Sequence, residues 1–120
     1  MDLINRNQTT PFITKDGSEI RELLAHRNSS IRNQSLAEAT LPPGTSTTRH
    51  YHSKSEEIYY ILKGSGLMEI EDEKSMIKPL DAVAIPPGKA HQLTNTGFEP
   101  LVLLCCCSPG YEHEDTILID

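Results

Sequence analysis

The 120-residue sequence lacks the features that mark several large classes of protein. It has no block of lysine and arginine, and its 17 acidic residues outnumber the 11 basic ones, which gives a net charge of −6. Binding to nucleic acid phosphates needs clustered positive charge, so neither DNA nor RNA is an expected partner. No apolar run approaches the roughly 20 residues of a membrane span, and the start, acidic at Asp2, does not resemble a signal peptide. We therefore expect a cytoplasmic protein without a membrane partner.

Cysteine is scarce, and the three cysteines are consecutive at positions 105–107. Because neighbouring residues of a strand point to opposite faces, these side chains form no disulfide framework, and their spacing is not that of a Cys-x-x-Cys zinc motif. They follow the apolar run 101–104. We interpret them as small buried hydrophobic residues, with a reactive thiol as the alternative.

The length suits one domain with a single core that needs no disulfides or structural metal. From about residue 34, short apolar runs alternate with Gly, Pro, Asp and Asn at intervals of about ten residues, which is typical of an antiparallel sandwich or barrel. The predicted strands are 34–41, 47–52, 57–62, 66–71, 75–78, 81–85, 90–95 and 101–107. We predict a barrel over 34–107, between an N-terminal arm (1–33) and a C-terminal segment (108–120).

The two end segments are harder to interpret. Residues 18–26 contain helix formers and a possible cap at Ser18, yet Ile20, Leu23 and Leu24 make only a narrow apolar stripe. A helix and a short strand packed on the sheet both remain open for this piece. The C-terminal segment is rich in groups that could line the mouth of a pocket, but a solvated tail is the favoured interpretation.

Histidines and acids cluster near predicted turns. His50 and His52 stand two apart in a strand-like run, so both imidazoles point to one face, and two neutral imidazoles suit a divalent transition metal. Glu56 and Glu57 open the next predicted strand, and His91 begins a later one. Since a lone strand histidine is more often a structural residue, these residues alone leave metal binding and a structural role about equally favoured.

Two stretches around these residues resemble the two sequence motifs of the cupin superfamily. The first motif, Gly, five residues, His-x-His, three or four residues, Glu, six residues, Gly, matches residues 44–64. The second motif, Gly, five residues, Pro-x-Gly, two residues, His, three residues, Asn, matches residues 80–95 except that Leu80 replaces the first glycine. That departure lies in a turn, so it bears on local backbone shape and not on the metal.

The resemblance implies an all-β domain with the cupin jelly-roll barrel, also called a double-stranded β-helix. Its implied metal ligands are His50, His52, Glu57 and His91. Glu57 is chosen over Glu56 because only Glu57 leaves six residues before the last glycine of the first motif. On that strand, alternate residues should face inward (Glu57, Tyr59, Ile61) and outward (Ile58, Tyr60, Leu62).

Such a ligand set would hold one divalent first-row ion, Fe, Mn, Ni or Zn, and leave two octahedral positions for water or a chelating substrate. Cupins of this type include dioxygenases, sugar isomerases, epimerases and decarboxylases. The expected function is a metal-dependent enzyme, such as a dioxygenase or isomerase, acting on a small oxygen-rich molecule: a sugar, keto acid or diol. A non-catalytic module that binds a metal or small ligand is the alternative.

Candidate catalytic residues beside the ion are Tyr59, Glu56 and His113, with a structural aromatic as the competing interpretation of Tyr59. The resemblance also implies a homodimer, since cupins commonly pair. We expect the arm around residues 20–31 to pack on the neighbouring barrel, with a monomer whose arm caps its own sheet edge as the rival arrangement.

Overall fold

A computed structural model describes residues 1–119, which consist almost entirely of strands joined by turns. Within this range the strands are β1 (Phe12–Ile13), β2 (Glu19–Leu24), β3 (Ser35–Leu41), β4 (His50–His52), β5 (Glu56–Lys63), β6 (Gly66–Ile70), β7 (Glu73–Ile77), β8 (Ala82–Ile85), β9 (His91–Asn95), β10 (Leu101–Ser108) and β11 (Thr116–Leu118). Short 3-10 turns lie at Arg6–Gln8 and His113–Asp115. None of the helical segments described is long and apolar enough to cross a membrane.

The strands form two antiparallel sheets. One has the order β1-β2-β3-β10-β5-β8 and the other the order β11-β4-β9-β6-β7. Their apolar side chains meet in one buried cluster, to which the first sheet contributes Leu41, Ile61 and Leu103 and the second contributes Met68 and Leu93. This two-sheet barrel confirms the predicted jelly-roll fold.

Strand β5 alternates between the core and the surface, as its sequence predicts. The buried residues are Glu57, Tyr59 and Ile61, and the exposed ones are Glu56, Ile58, Tyr60 and Leu62. Successive side chains of a strand point to opposite faces, so the same alternation that buries two core residues also carries Glu57 into the interior.

The N-terminal arm belongs to the first sheet of its own chain. Segment 18–26 contains the strand β2, which pairs antiparallel with β3, and Ile20 packs against the core. The arm thus caps the edge of its own sheet, as in the rival arrangement, and its packing on a neighbouring barrel stays a prediction. Without β2, the main-chain groups along one edge of β3 would lack partners, and pairing within the chain satisfies them.

The C-terminal segment is also part of the barrel. Strand β11 pairs with β4, and Thr116 lies opposite His52. Both Asp115 and Thr116 are buried. The favoured interpretation of this segment as a solvated tail is therefore wrong, because β4 needs an edge partner and residues 116–118 supply it.

Leu80, which stands where the second motif has glycine, adopts a left-handed backbone conformation with φ at 78°. This left-handed region costs an L-residue about 1–2 kcal/mol, and the Leu80 side chain, 74% exposed, gains little packing in return. We expect Leu80→Gly to raise the free energy of unfolding by about 1 kcal/mol, because relief of strain exceeds the entropy cost of glycine. Urea denaturation checks this. Leu80→Ala keeps a Cβ and should give no comparable gain, so equal gains from both variants would contradict the explanation.

Candidate metal centre

Three histidines of the second sheet meet inside the barrel. His50 and His52 lie on β4, and His91 at the start of β9 is paired directly with His50. One ring nitrogen of each lies within 4.8 Å of the other two, and all three residues are buried. The structure thus brings together the three histidines singled out by the sequence.

Each imidazole is oriented by an oxygen atom behind it. The Nδ1 distances are 2.7 Å from His50 to the Thr48 carbonyl, 3.0 Å from His91 to the Lys89 carbonyl and 3.3 Å from His52 to the Thr116 hydroxyl. A carbonyl oxygen only accepts, so Nδ1 carries the proton in His50 and His91 when these rings are neutral, and Nε2 keeps its lone pair. This arrangement is typical of metal-binding histidines.

Glu57 reaches the histidines from the opposite sheet. Its Oε1 lies 3.3 Å from Nε2 of His52 and 3.6 Å from Nε2 of His91, while its Oε2 accepts a hydrogen bond from the Cys107 thiol at 3.3 Å. Oε1 of Glu57 and Nε2 of His91 are buried and have no hydrogen-bond partner within residues 1–119. Buried polar atoms rarely lack partners, and a cation between these two atoms would satisfy both.

The protonation states of these groups depend on one another. Burial raises the pKa of the Glu57 carboxyl, but contacts with His52 and His91 outweigh burial and lower it to about 2. Burial lowers the pKa of His50, and repulsion from His91 lowers it further. For His52, burial acts to lower the pKa, but the Glu57 carboxylate outweighs burial and raises it. Because its pKa is lowered, His50 is neutral and able to bind a cation at neutral pH. The raised pKa of His52 means that a larger fraction of this side chain carries a proton, which must leave before a cation binds.

Metal affinity should fall as the pH drops through the pKa of His52. A proton on Nε2 of His52 competes with the cation, and because the pKa is raised this competition begins above the ordinary range of histidine. Above that pKa the affinity should be nearly constant, and below it each pH unit should cost up to about tenfold in affinity. Calorimetric titration with Zn²⁺ in buffers of different ionisation enthalpy counts the protons released, and a flat affinity between about pH 5 and about pH 8 would contradict the prediction.

Asp16 enters the centre from the turn between β1 and β2. Its Oδ2 lies 3.6 Å from Nε2 of His50. Its Oδ1 accepts hydrogen bonds from the amide and hydroxyl of Ser18, at 2.9 and 2.6 Å, and from the hydroxyl of Thr14 at 2.7 Å. Sequence reasoning missed Asp16, because an Asp-Gly pair in a polar arm signals an ordinary turn.

Asp115 holds the loop that separates two of the proposed ligands. Its carboxylate accepts hydrogen bonds from the Ser53 hydroxyl and from the amides of Lys54 and Ser55, at 2.5, 2.9 and 3.0 Å. This loop joins His52 to β5, so Asp115 helps to fix the separation of His52 from Glu57. Sequence reasoning also missed this role, since nothing near position 115 in the chain points to the loop.

The site opens into a cavity of about 70 Å³ lined by residues of both sheets, the arm and the C-terminal segment. By this measure one water needs roughly 10–15 Å³, so the space admits a small molecule. Among the catalytic candidates, Tyr59 lines the cavity and is buried, and His113 lines it at the exposed side, 3.2 Å from the Tyr111 hydroxyl. Glu56 is exposed on the outer face of β5 and does not line the cavity, because it is the strand neighbour of inward-facing Glu57.

The three cysteines are free, and their side chains point alternately to the two faces of β10. Cys107 is buried, Cys105 and Cys106 are half-buried, and both Cys105 and Cys107 line the cavity. The interpretation as small buried residues is therefore confirmed for Cys107. Burial raises the pKa of the Cys107 thiol, which keeps its proton available for the hydrogen bond to Glu57.

Comparisons with known proteins agree with this geometry. The model of the cupin domain family matches residues 37–107. An uncharacterized protein of Methanocaldococcus jannaschii is 51% identical over 110 residues, which are 92% of this chain and 88% of that protein. An oxalate-binding protein of Thermotoga maritima is 34% identical over 86 residues, which are 72% and 71% of the two chains. The solved structure of the polyketide cyclase RemF from Streptomyces resistomycificus, 21% identical, matches with a TM-score of 0.84 over 100% of this chain and 86% of that one.

Proposed function

The chain belongs to the cupin family, and on that premise we propose that it holds one divalent first-row transition metal ion and uses it to bind a small oxygen-rich molecule. The proposed ligands are His50, His52, His91 and Glu57. The observation that carries the proposal is a pair of buried atoms 3.6 Å apart, Oε1 of Glu57 and Nε2 of His91, which have no hydrogen-bond partner among residues 1–119. A set of three imidazoles and one carboxylate fits Fe, Mn, Ni or Zn better than Mg or Ca.

When bound, such an ion polarises an oxygen of its ligand or acidifies a bound water. The residues of this chain prepare the site for it. The carbonyls of Thr48 and Lys89 hold the imidazoles of His50 and His91 in place, and the Cys107 thiol steadies the Glu57 carboxylate. This support lowers the cost of ordering the ligands when the ion arrives.

The first candidate activity is a metal-dependent reaction on the bound molecule, in which the chain acts as a dioxygenase or an isomerase. A sugar, keto acid or diol would approach through the cavity, where Tyr59 and His113 can donate or accept hydrogen bonds. Binding without turnover is the second candidate, and the similarity to an oxalate-binding protein over 72% of this chain favours it.

Elemental analysis of protein purified without added metal tests the proposal, followed by oxygen-consumption measurements with candidate sugars, keto acids and diols. We expect one ion per chain. Iron with substrate-dependent oxygen uptake would support a dioxygenase, whereas zinc, nickel or manganese without uptake would support an isomerase or a binding role. A protein that retains none of these metals after reloading and dialysis would contradict the proposed site.

We also propose that two copies of the chain pair through the outer face of the first sheet. Ile58, Tyr60 and Leu62 on β5 are 50%, 37% and 43% exposed, and Leu104 on β10 is paired with Tyr60. An apolar surface on adjacent strands is typical of an interaction site.

Light scattering at micromolar concentration should therefore give the mass of a dimer, and Tyr60→Glu should give the mass of a monomer. Met76→Glu places the same charge at a residue that is 60% exposed on the second sheet, and it should leave the dimer intact. A wild-type mass near that of one chain would contradict the proposed dimer.

A further inference from the structure

The cavity beside the centre is lined by acidic side chains and by histidines. Asp16, Glu22 and Glu57 are among its lining residues, and no lysine or arginine of residues 1–119 lines it. A second carboxylate or a phosphate on a bound molecule would therefore find no lysine or arginine there to pair with.

We propose that Asp16 sets the charge of the molecule accepted at the metal centre, so that an uncharged hydroxyl- or carbonyl-bearing chelator binds in preference to a dicarboxylate or phosphate ester. The inference rests on the proposed metal site and narrows its substrate class. It favours such a chelator over oxalate, the ligand named for the Thermotoga maritima relative.

The position of Asp16 is fixed from both sides. The hydrogen bonds from Thr14 and Ser18 all go to Oδ1, while Oδ2 faces His50. The main-chain carbonyl of Asp16 accepts a hydrogen bond from the Thr48 amide at 2.7 Å, which ties the arm to the residues preceding His50. The side chain is only 14% exposed. The Asp16 carboxylate therefore acts on the centre as a fixed charge, unlike a mobile surface acid.

The charges of the centre balance when Asp16 is included. A divalent ion with one carboxylate ligand and three neutral imidazoles keeps one positive charge, and the Asp16 carboxylate cancels it. A dianion entering this site would lose its hydration, and the Asp16 carboxylate would oppose its attraction to the ion. Glu22 also lines the cavity, but Arg27 pairs with its carboxylate at 3.1 Å, so Asp16 is the acid that carries the argument.

Asp16 strengthens the binding of an uncharged chelator, although it weakens the binding of an anion. Its O–H groups can donate to Oδ2 of Asp16, and a hydrogen bond to a carboxylate is stronger than one between neutral groups. The cavity wall also includes Leu93 and Leu103, which suit the C–H surface of a small sugar or hydroxyketone.

The test compares Co²⁺-loaded wild-type protein with Co²⁺-loaded Asp16→Asn, each titrated with oxalate and with dihydroxyacetone while the visible spectrum of cobalt is followed. We expect Asp16→Asn to bind oxalate at least about tenfold more tightly than the wild type, because one fixed negative charge is removed at short range. Dihydroxyacetone should bind several-fold more weakly, because a neutral amide replaces the carboxylate acceptor. Asp16→Ser, which keeps an acceptor for the turn, serves in its place if the asparagine variant does not fold.

Asp72→Asn is the matched control, because it removes the same charge from an exposed turn between β6 and β7 and should change neither affinity. Equal oxalate affinity in wild type and the Asp16 variant, including no binding by either, would overturn the inference. The Co²⁺ content of each protein is measured before any ligand is added. Failure of the wild type to take up Co²⁺ would instead contradict the proposed function, so the two failures are distinguishable.

Discussion

Replacing His52 by alanine should reduce metal affinity by more than about a hundredfold, since loss of a hydrogen-bond partner behind a ligand already costs about 10–100-fold. The barrel should remain folded, because its core is built from apolar residues such as Leu41, Ile61 and Leu103. This contrasts with a zinc finger, which is unfolded without its metal. Metal content after dialysis and thermal melting with and without a chelator measure the two effects separately.

His113→Ala is the control for this experiment. His113 also lines the cavity but is exposed, and it is not one of the three clustered histidines. The His113→Ala variant should retain the metal at wild-type affinity. Full metal occupancy in His52→Ala would show that His52 is not a ligand. An unfolded His52→Ala would show that the ion is needed for the fold.

Replacing Gly64 by alanine should destabilise the barrel by about 3 kcal/mol, the sum of a left-handed backbone and a steric clash. Gly64 joins β5 to β6 with φ at 85°. A Cβ built there would lie 2.7 Å from the carbonyl oxygen of Pro100 and 2.9 Å from the Cα of Leu101, which are backbone atoms that cannot rotate away. The free energy of unfolding from urea titration measures the loss.

Gly44→Ala separates the two contributions. Gly44 has a similar φ of 76°, but a Cβ there would meet no atom within 4 Å. Its cost should be only that of the left-handed backbone, about 1 kcal/mol. If both variants lost the same stability, the close approach of the Pro100 backbone would carry no cost.

The sequence predicts the middle of the fold better than its ends. All eight strands predicted between residues 34 and 107 occur, although only His50–His52 of the run 47–52 is a strand. Alternating burial and Gly or Pro turns are local signals, which explains this success. Strands β2 and β11 depend instead on the open edges of β3 and β4, and no local pattern in their own residues reveals those edges.

The same difference separates the proposed ligands from the residues around them. His50, His52, Glu57 and His91 belong to two compact motifs, where a period of two residues along a strand fixes their direction. The period also explains why Glu56 lies outside. Asp16 reaches His50 only because a turn of the arm lies against another part of the chain, and a lone acid in a polar segment carries no signal of such a contact.

The cavity is complete only when β11 is paired with β4, because Thr116 of β11 lines it. Thr116 meets His52 only after β11 has joined the sheet, and β3 joins β10 through pairs such as Leu41 with Leu101, far apart in sequence. Such distant pairings form slowly. Until they form, the histidines are presented on an incomplete barrel, where open imidazole sites follow the intrinsic preference for copper over the other divalent ions. If the chain binds the proposed ion, discrimination among metals belongs to the closed barrel, and the ion found in the purified protein should depend on whether the barrel closes before an ion is captured.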